Sequence, residues 1–120
     1  MARRAAMKPE ADITEAFFKL VNMTAAEIEA WLETRESKSV GQDSGDGESI
    51  GRKSGRRIIA ILGKPRRQID KADIAHMRRV VSFINRHMAQ RPHKDVTRTR
   101  WRYSLMNWGH EPLRDPHWAD

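Results

Sequence analysis

The sequence contains no cysteine. That absence removes disulfides, thiolate metal sites and thiol nucleophiles together, excludes zinc ribbons, and suits a reducing compartment. Long apolar runs are also missing: no stretch approaches the roughly 18 consecutive apolar residues of a membrane-spanning helix. The opening Met1-Ala2-Arg3-Arg4-Ala5-Ala6-Met7-Lys8-Pro9 has two arginines but no apolar run of signal-peptide length behind them. A cytoplasmic protein with no membrane partner is the expectation. The glycines between Gly41 and Gly55 lack the strand, lysine and helix arrangement of a phosphate-binding loop, so no nucleotide cofactor is implied, nor any other. No internal repeat is evident, which argues against a solenoid.

The 120 residues are 38% apolar and 32% charged, with a mean hydropathy of -0.78. Such a chain suits one domain with a lean core, provided its apolar residues fall on single helical faces. Residues 1–9 read as a flexible arm, 10–114 as a single helical domain and 115–120 as a loose tail. The net charge of +7 is unevenly distributed. Residues 1–51 hold 6 basic and 10 acidic side chains, residues 52–103 hold 16 and 3, and residues 104–120 hold 1 and 3. A segment of such one-sided charge repels itself, and a folded domain tolerates that more readily when its partner is a polyanion. The plainer reading is a basic face kept for solubility.

Helical spacing dominates the chain. Asp12 is placed to cap a helix carrying Ile13, Phe17, Leu20 and Val21 on one side. Thr24-Ala25-Ala26-Glu27 has the form of a capping box, opening a second helix with Ile28, Trp31 and Leu32 inward and Glu27, Glu29, Glu33 and Glu36 outward. From Ser37 to Ser54 glycine, serine and acids predominate, predicting a long loop pinned by Val40 and Ile50. A third helix is predicted from about Gly55 to Leu62, stopped by Gly63 and Pro65, although its isoleucines also suit a strand. The fourth helix, Asp70 to Gln90, has the clearest seam: Ile74, Met77, Val81, Ile84 and Met88 recur at steps of three and four. Lys71, Arg78, Arg79, Ser82 and Arg86 fall opposite that seam as a basic stripe. Its shoulder of His76, Val80, Phe83 and His87 requires a cover, supplied by a short fifth helix with Trp101, Leu105 and Trp108 on one face. The fold class is therefore all-α: a small bundle of about four to five helices with a long Gly/Ser-rich loop.

The residues expected to meet a partner are Arg52, Lys53, Arg56, Arg57, Arg78, Arg79 and Arg86. Guanidinium forks match phosphate oxygens in pairs, and a helix start near Ser54-Gly55 adds backbone amides and a positive dipole end. These cations are expected on one connected surface, away from Glu29, Glu33 and Glu36. The partner is then nucleic acid, DNA rather than RNA, held mainly by its backbone. No recognition-helix signature accompanies the stripe. Trp101, Tyr103 and Trp108, interleaved with arginines, suit stacking on unpaired bases, but their helical spacing favours burial. Two other readings stand beside this one. The acidic second helix and basic middle suit pairing between copies or with a partner subunit. Asp73 and His76, one turn apart, could join His110 or His117 around a divalent metal as in a nuclease, though no motif fixes that geometry. Catalysis is not the expectation.

Val21-Asn22-Met23-Thr24, Trp31-Leu32, Ser54-Gly55-Arg56-Arg57-Ile58, His76-Met77-Arg78-Arg79-Val80, Arg86-His87-Met88-Ala89-Gln90-Arg91-Pro92 and Arg102-Tyr103-Ser104-Leu105-Met106-Asn107-Trp108-Gly109-His110 carry a resemblance. Over about residues 17 to 114 the chain resembles an uncharacterised bacterial and fungal family, domain-of-unknown-function family thirty-one-forty. The resemblance implies no established activity, only a loose labelling of members as DNA-binding.

Overall fold

A computed structural model describes residues 9–43 and 45–115. The expected arm, apart from Pro9, and the expected tail, apart from Asp115, lie outside the described residues. Among these residues the chain forms six α-helices and no strand: α1 (Glu10–Leu20), α2 (Ala25–Leu32), α3 (Arg35–Lys38), α4 (Ile50–Leu62), α5 (Lys71–Met88) and α6 (Arg100–Asn107), with short 3-10 turns at Arg66–Gln68 and Pro112–Arg114. The all-α expectation holds, and the isoleucines of α4 are helical.

Local chemistry accounts for most helix starts. Thr24 Oγ1 accepts the Glu27 amide while Glu27 returns a carboxylate to the Thr24 amide, so the capping box forms as read. Asp70 and Asp73 make the same reciprocal pair at the head of α5. α1 differs from expectation: it begins at Glu10 behind Pro9, and Asp12 lies inside its first turn rather than capping it. Proline fixes its own φ and tolerates the position before a helix, and two early carboxylates suit the helix dipole.

The larger correction concerns α4. Its N-cap is Ser49, whose Oγ accepts the Arg52 amide, so the first turn occupies part of the segment expected as loop. The glycines misled because two of them are packing devices. A Cβ at Gly55 would stand 2.6 Å from the Asn107 carbonyl oxygen, and one at Gly51 would stand 3.0 Å from Trp108 Nε1. Bare backbone at both positions lets α6 cross α4 closely. The true loop, described over 39–43 and 45–49, turns on Gly41, Gly45 and Gly47, all at positive φ.

The core joins two helix pairs. α1 packs on α5, α2 packs on α4, and α6 lies across α2, α3, α4 and α5. All five seam residues of α5 are buried, alongside Phe17, Ile28, Leu32, Ile58, Ile61, Leu105 and Trp108. The shoulder of α5 is covered as expected. Rings stack in sequence along it, His76 on Trp108, Trp108 on Phe83 at 4.4 Å, Phe83 on His87 at 4.8 Å, and His87 on Trp101. The segment after α6 is tied back by Asn22, which exchanges two hydrogen bonds with the Glu111 backbone, and by the Arg102 fork on Glu111. Burial opposes ionisation of Glu111, but that fork and the Leu113 amide outweigh it and hold its pKa low.

Candidate functional site

The seven expected contact residues divide by helical phase. On α4, Arg52 and Arg56 fall on the side toward α2 and α3, and Lys53 and Arg57 on the side toward α5. Arg52 is a correction to the contact set. It is 8% exposed, and its guanidinium donates to the Leu32 carbonyl at 2.6 Å, to Ser37 Oγ at 3.3 Å and to Glu48 at 2.6 Å. Ser37 Oγ in turn donates to Asn107 Oδ1, which also accepts Trp31 Nε1. Arg52 is therefore a strut joining α2, α3 and α4: at the crossing of α4 over α2 it satisfies the Leu32 carbonyl and adds a donor to the Ser37–Asn107 pair.

Arg56 is exposed, but both its Nε and Nη2 donate to Glu48. Those bonds raise its pKa first, and the Glu33 charge adds to the effect. Here the expectation of a basic surface kept apart from the acidic helix fails. One residue of helical rotation, 100°, separates Arg56 from Arg57 and sends the first toward the acids.

The other five gather in two grooves between α4 and α5. The larger, about 550 Å³, is lined by Arg78, Arg79 and Arg86 on one wall and by Gly41, Gln42, Ile50 and Gly51 on the other. Phe83, His87 and Trp108 lie among its lining, with Ser82 and Ser104. The smaller holds Lys53, Ser54, Arg57, His76 and Arg79, and shares Ile50, Arg79 and Trp108 with the first. No carboxylate lines either groove among the described residues. The neighbouring acids sit to the side: Asp46 pairs with Lys53, and Asp73 takes Arg57 at 2.9 Å and Lys64 at 2.6 Å. Asp73 is buried, yet the Lys64 hydrogen bond, the Asp70 amide and Arg57 together hold its pKa far below the usual carboxylate range.

His76 Nε2 lies 2.9 Å from Ser54 Oγ across the α4/α5 contact. Burial, then the charges of Arg57 and Arg79, pull its pKa down to about 4, so the imidazole is neutral at pH 7. The nuclease trio does not assemble. Asp73 is engaged by two cations, and His110 meets the Leu20 carbonyl through Nδ1 at 2.6 Å. No group of three metal-ligating side chains occurs among the described residues, and His117 lies outside them.

Sequence reasoning missed Trp108 and Gly51 as groove residues, and with them the Ser49-capped end of α4 that forms the groove wall. The signal was present in the Gly51 and Gly55 pair, four residues apart, a spacing that puts two bare positions on one helical face. No helix is long and apolar enough to cross a membrane among the described residues.

No curated protein and no solved structure is matched by this sequence. One family model, described as a protein of unknown function, matches residues 16–106, more than half of the chain and most of the segment over which the resemblance was read. Most of the lining of both grooves lies within that match, from Gly41 to Ser104, and Asn107 and Trp108 fall just beyond it. The chain thus belongs to the DUF3140 family of proteins of unknown function.

Proposed function

We propose that this protein binds nucleic acid, DNA before RNA, by seating backbone phosphates along the α4/α5 grooves. The observation that carries the reading is the lining itself, five cations and, among the described residues, no carboxylate in two adjoining grooves. Arg78, Arg79 and Arg86 supply planar forks suited to phosphate oxygens, and Lys53 and Arg57 face them from α4. Their acidic neighbours offset part of that charge, which a polyanion at Debye-length range would compete to displace. The positive end of the α4 dipole opens beside the same wall at Ile50 and Gly51. In this reading the chain is a binding module without a catalytic step or cofactor, and a cytoplasmic setting suits its lack of cysteine.

Titration of a labelled duplex at several salt concentrations tests it. Five phosphate contacts predict a slope of log affinity on log salt near -4 to -5, and a fall of several hundredfold between about 50 and 200 mM. A salt-independent affinity, or none at low salt, removes the reading.

The exposed acidic face of Glu29, Glu33 and Glu36 favours one other reading, in which it docks on the basic grooves of a second copy. A free protein that sediments as a salt-sensitive dimer would support that instead.

A further inference from the structure

The three described tryptophans differ in one respect. Trp31 and Trp101 each donate Nε1–H to an oxygen at 2.7 Å, Asn107 Oδ1 and the His87 carbonyl respectively. Trp108 is as buried as Trp101, with 7% against 8% exposed, yet its Nε1–H meets no acceptor among the described residues. A buried indole ordinarily finds one. The atom is not sealed in, since it is absent from the fully enclosed polar atoms that lack partners, and its residue lines both grooves. Gly51 keeps this edge open, for any Cβ there would come within 3.0 Å of Nε1. The faces of the ring are not available, because they stack parallel to Phe83 and His76. What Trp108 offers is one donor at its edge.

Around that donor the larger groove combines three elements. Guanidiniums stand along α5, Ser82 and Ser104 add hydroxyls, and Ile50, Phe83 and Trp108 supply apolar surface. Its volume falls within the range of small-ligand sites, roughly 300 to 1,000 Å³. A duplex phosphate needs only the cations, and paired bases cannot enter a groove between two helices. The ligand that uses all three elements is an anion joined to a flat body with acceptors on its rim.

We propose that this groove seats one unpaired nucleotide, its phosphate on the Arg79 and Arg86 side and its base edge accepting a hydrogen bond from Trp108 Nε1–H. The chemistry is shared by a free nucleotide and by an unpaired residue of a strand. The proposal rests on the phosphate-binding reading above and narrows it from backbone contact to a specific pocket.

The test uses the indole N–H signals of ¹⁵N-labelled full-length protein, with Trp108 assigned by its loss in Trp108→Phe. The probes are inorganic phosphate, thymidine 5′-monophosphate, a ten-residue oligothymidylate and a duplex of the same length. The monophosphate, the strand or both are expected to move the Trp108 signal, while inorganic phosphate leaves it in place. A response to the monophosphate alone identifies a free nucleotide as the source. Ser82→Tyr fills the groove from an exposed position without changing charge or touching the core, and is expected to weaken the responding probe about tenfold. A stationary Trp108 signal with both nucleotide probes overturns the proposal, as does Ser82→Tyr binding the responding probe as the parent does. Duplex binding alongside that failure leaves the broader reading intact. A response to the monophosphate with no duplex binding at low salt does the reverse.

Discussion

Replacing Gly55 by alanine sets two effects of opposite sign against each other. Alanine is the better helix former, worth about 1 kcal/mol in a helix interior. At Gly55 the added methyl would stand 2.6 Å from the Asn107 carbonyl oxygen and 3.2 Å from Leu32. The carbonyl is backbone and cannot rotate away, so α4 and α6 must separate, and overpacking of this kind costs about 1 to 3 kcal/mol, here at the upper end. The difference is a net loss of about 2 kcal/mol, or about 8 °C in melting temperature for a domain of this size. Gly63→Ala is the control: its φ is -84°, its nearest neighbours are 3.6 Å away, and it should melt within a few degrees of the parent. Gly51→Ala, meeting Trp108 Nε1 at 3.0 Å, should fall between them. Urea unfolding followed by far-UV circular dichroism gives the order directly. A Gly55→Ala protein as stable as Gly63→Ala would refute the close crossing of α4 and α6.

Trp101→Ala removes a buried ring and its hydrogen bond to the His87 carbonyl; a loss of about 3 to 5 kcal/mol in urea unfolding is expected, and a parent-like midpoint would put α6 outside the core. Arg52→Ala strands the Leu32 carbonyl and the Ser37–Asn107 pair, so a loss of about 2 to 4 kcal/mol is expected, well beyond that of Arg86→Ala at an exposed position. His76 gives a pH dependence whose sign is fixed. Its folded pKa lies near 4, below the usual value of about 6.5, so the unfolded chain binds the extra proton and stability, complete above pH 6.5, is lost as pH falls toward 4. After discounting for partial exposure the His76 contribution between pH 7 and 5 is about 1 kcal/mol, and a folded His76→Gln protein should lose that part of the parental slope; an undiminished slope there would assign it elsewhere. His87, depressed by burial in the same direction, adds to the parent's slope.

The elements that could be read from sequence are those whose cause is local. The α5 seam repeats within its own helix, and the Thr24 box closes within three residues. The first turn of α4 was not legible, because Gly51 and Gly55 are explained by Asn107 and Trp108, more than fifty positions away. Partners 15 and 20 positions away hide the role of Arg52 in the same manner. As a member of a basic run it looks like its neighbours, and only the Leu32 carbonyl and Ser37 distinguish it. The charge asymmetry marks the segment whose cations line the grooves but not the face on which each of them falls. Helical phase decides the face, and phase follows from the start of α4 at Ser49, which the glycines obscured. Trp108 was correctly expected as core, yet its unmatched donor depends on what surrounds it.

The most direct measurement compares two double variants that lower the net charge equally. Arg79→Ala with Arg86→Ala removes two cations from the groove, and Arg67→Ala with Arg98→Ala removes two exposed cations outside it. All four positions are exposed, so neither pair opens a cavity, and circular dichroism can confirm that both stay folded. Labelled DNA is titrated against each protein across a salt series. If phosphates sit between α4 and α5, the groove pair loses affinity at least about tenfold and its salt slope flattens by about two contacts, while the outer pair keeps most of the parental slope. Equal losses in the two pairs, or a groove pair that binds as the parent does, would show that net charge and not this groove attracts the polyanion.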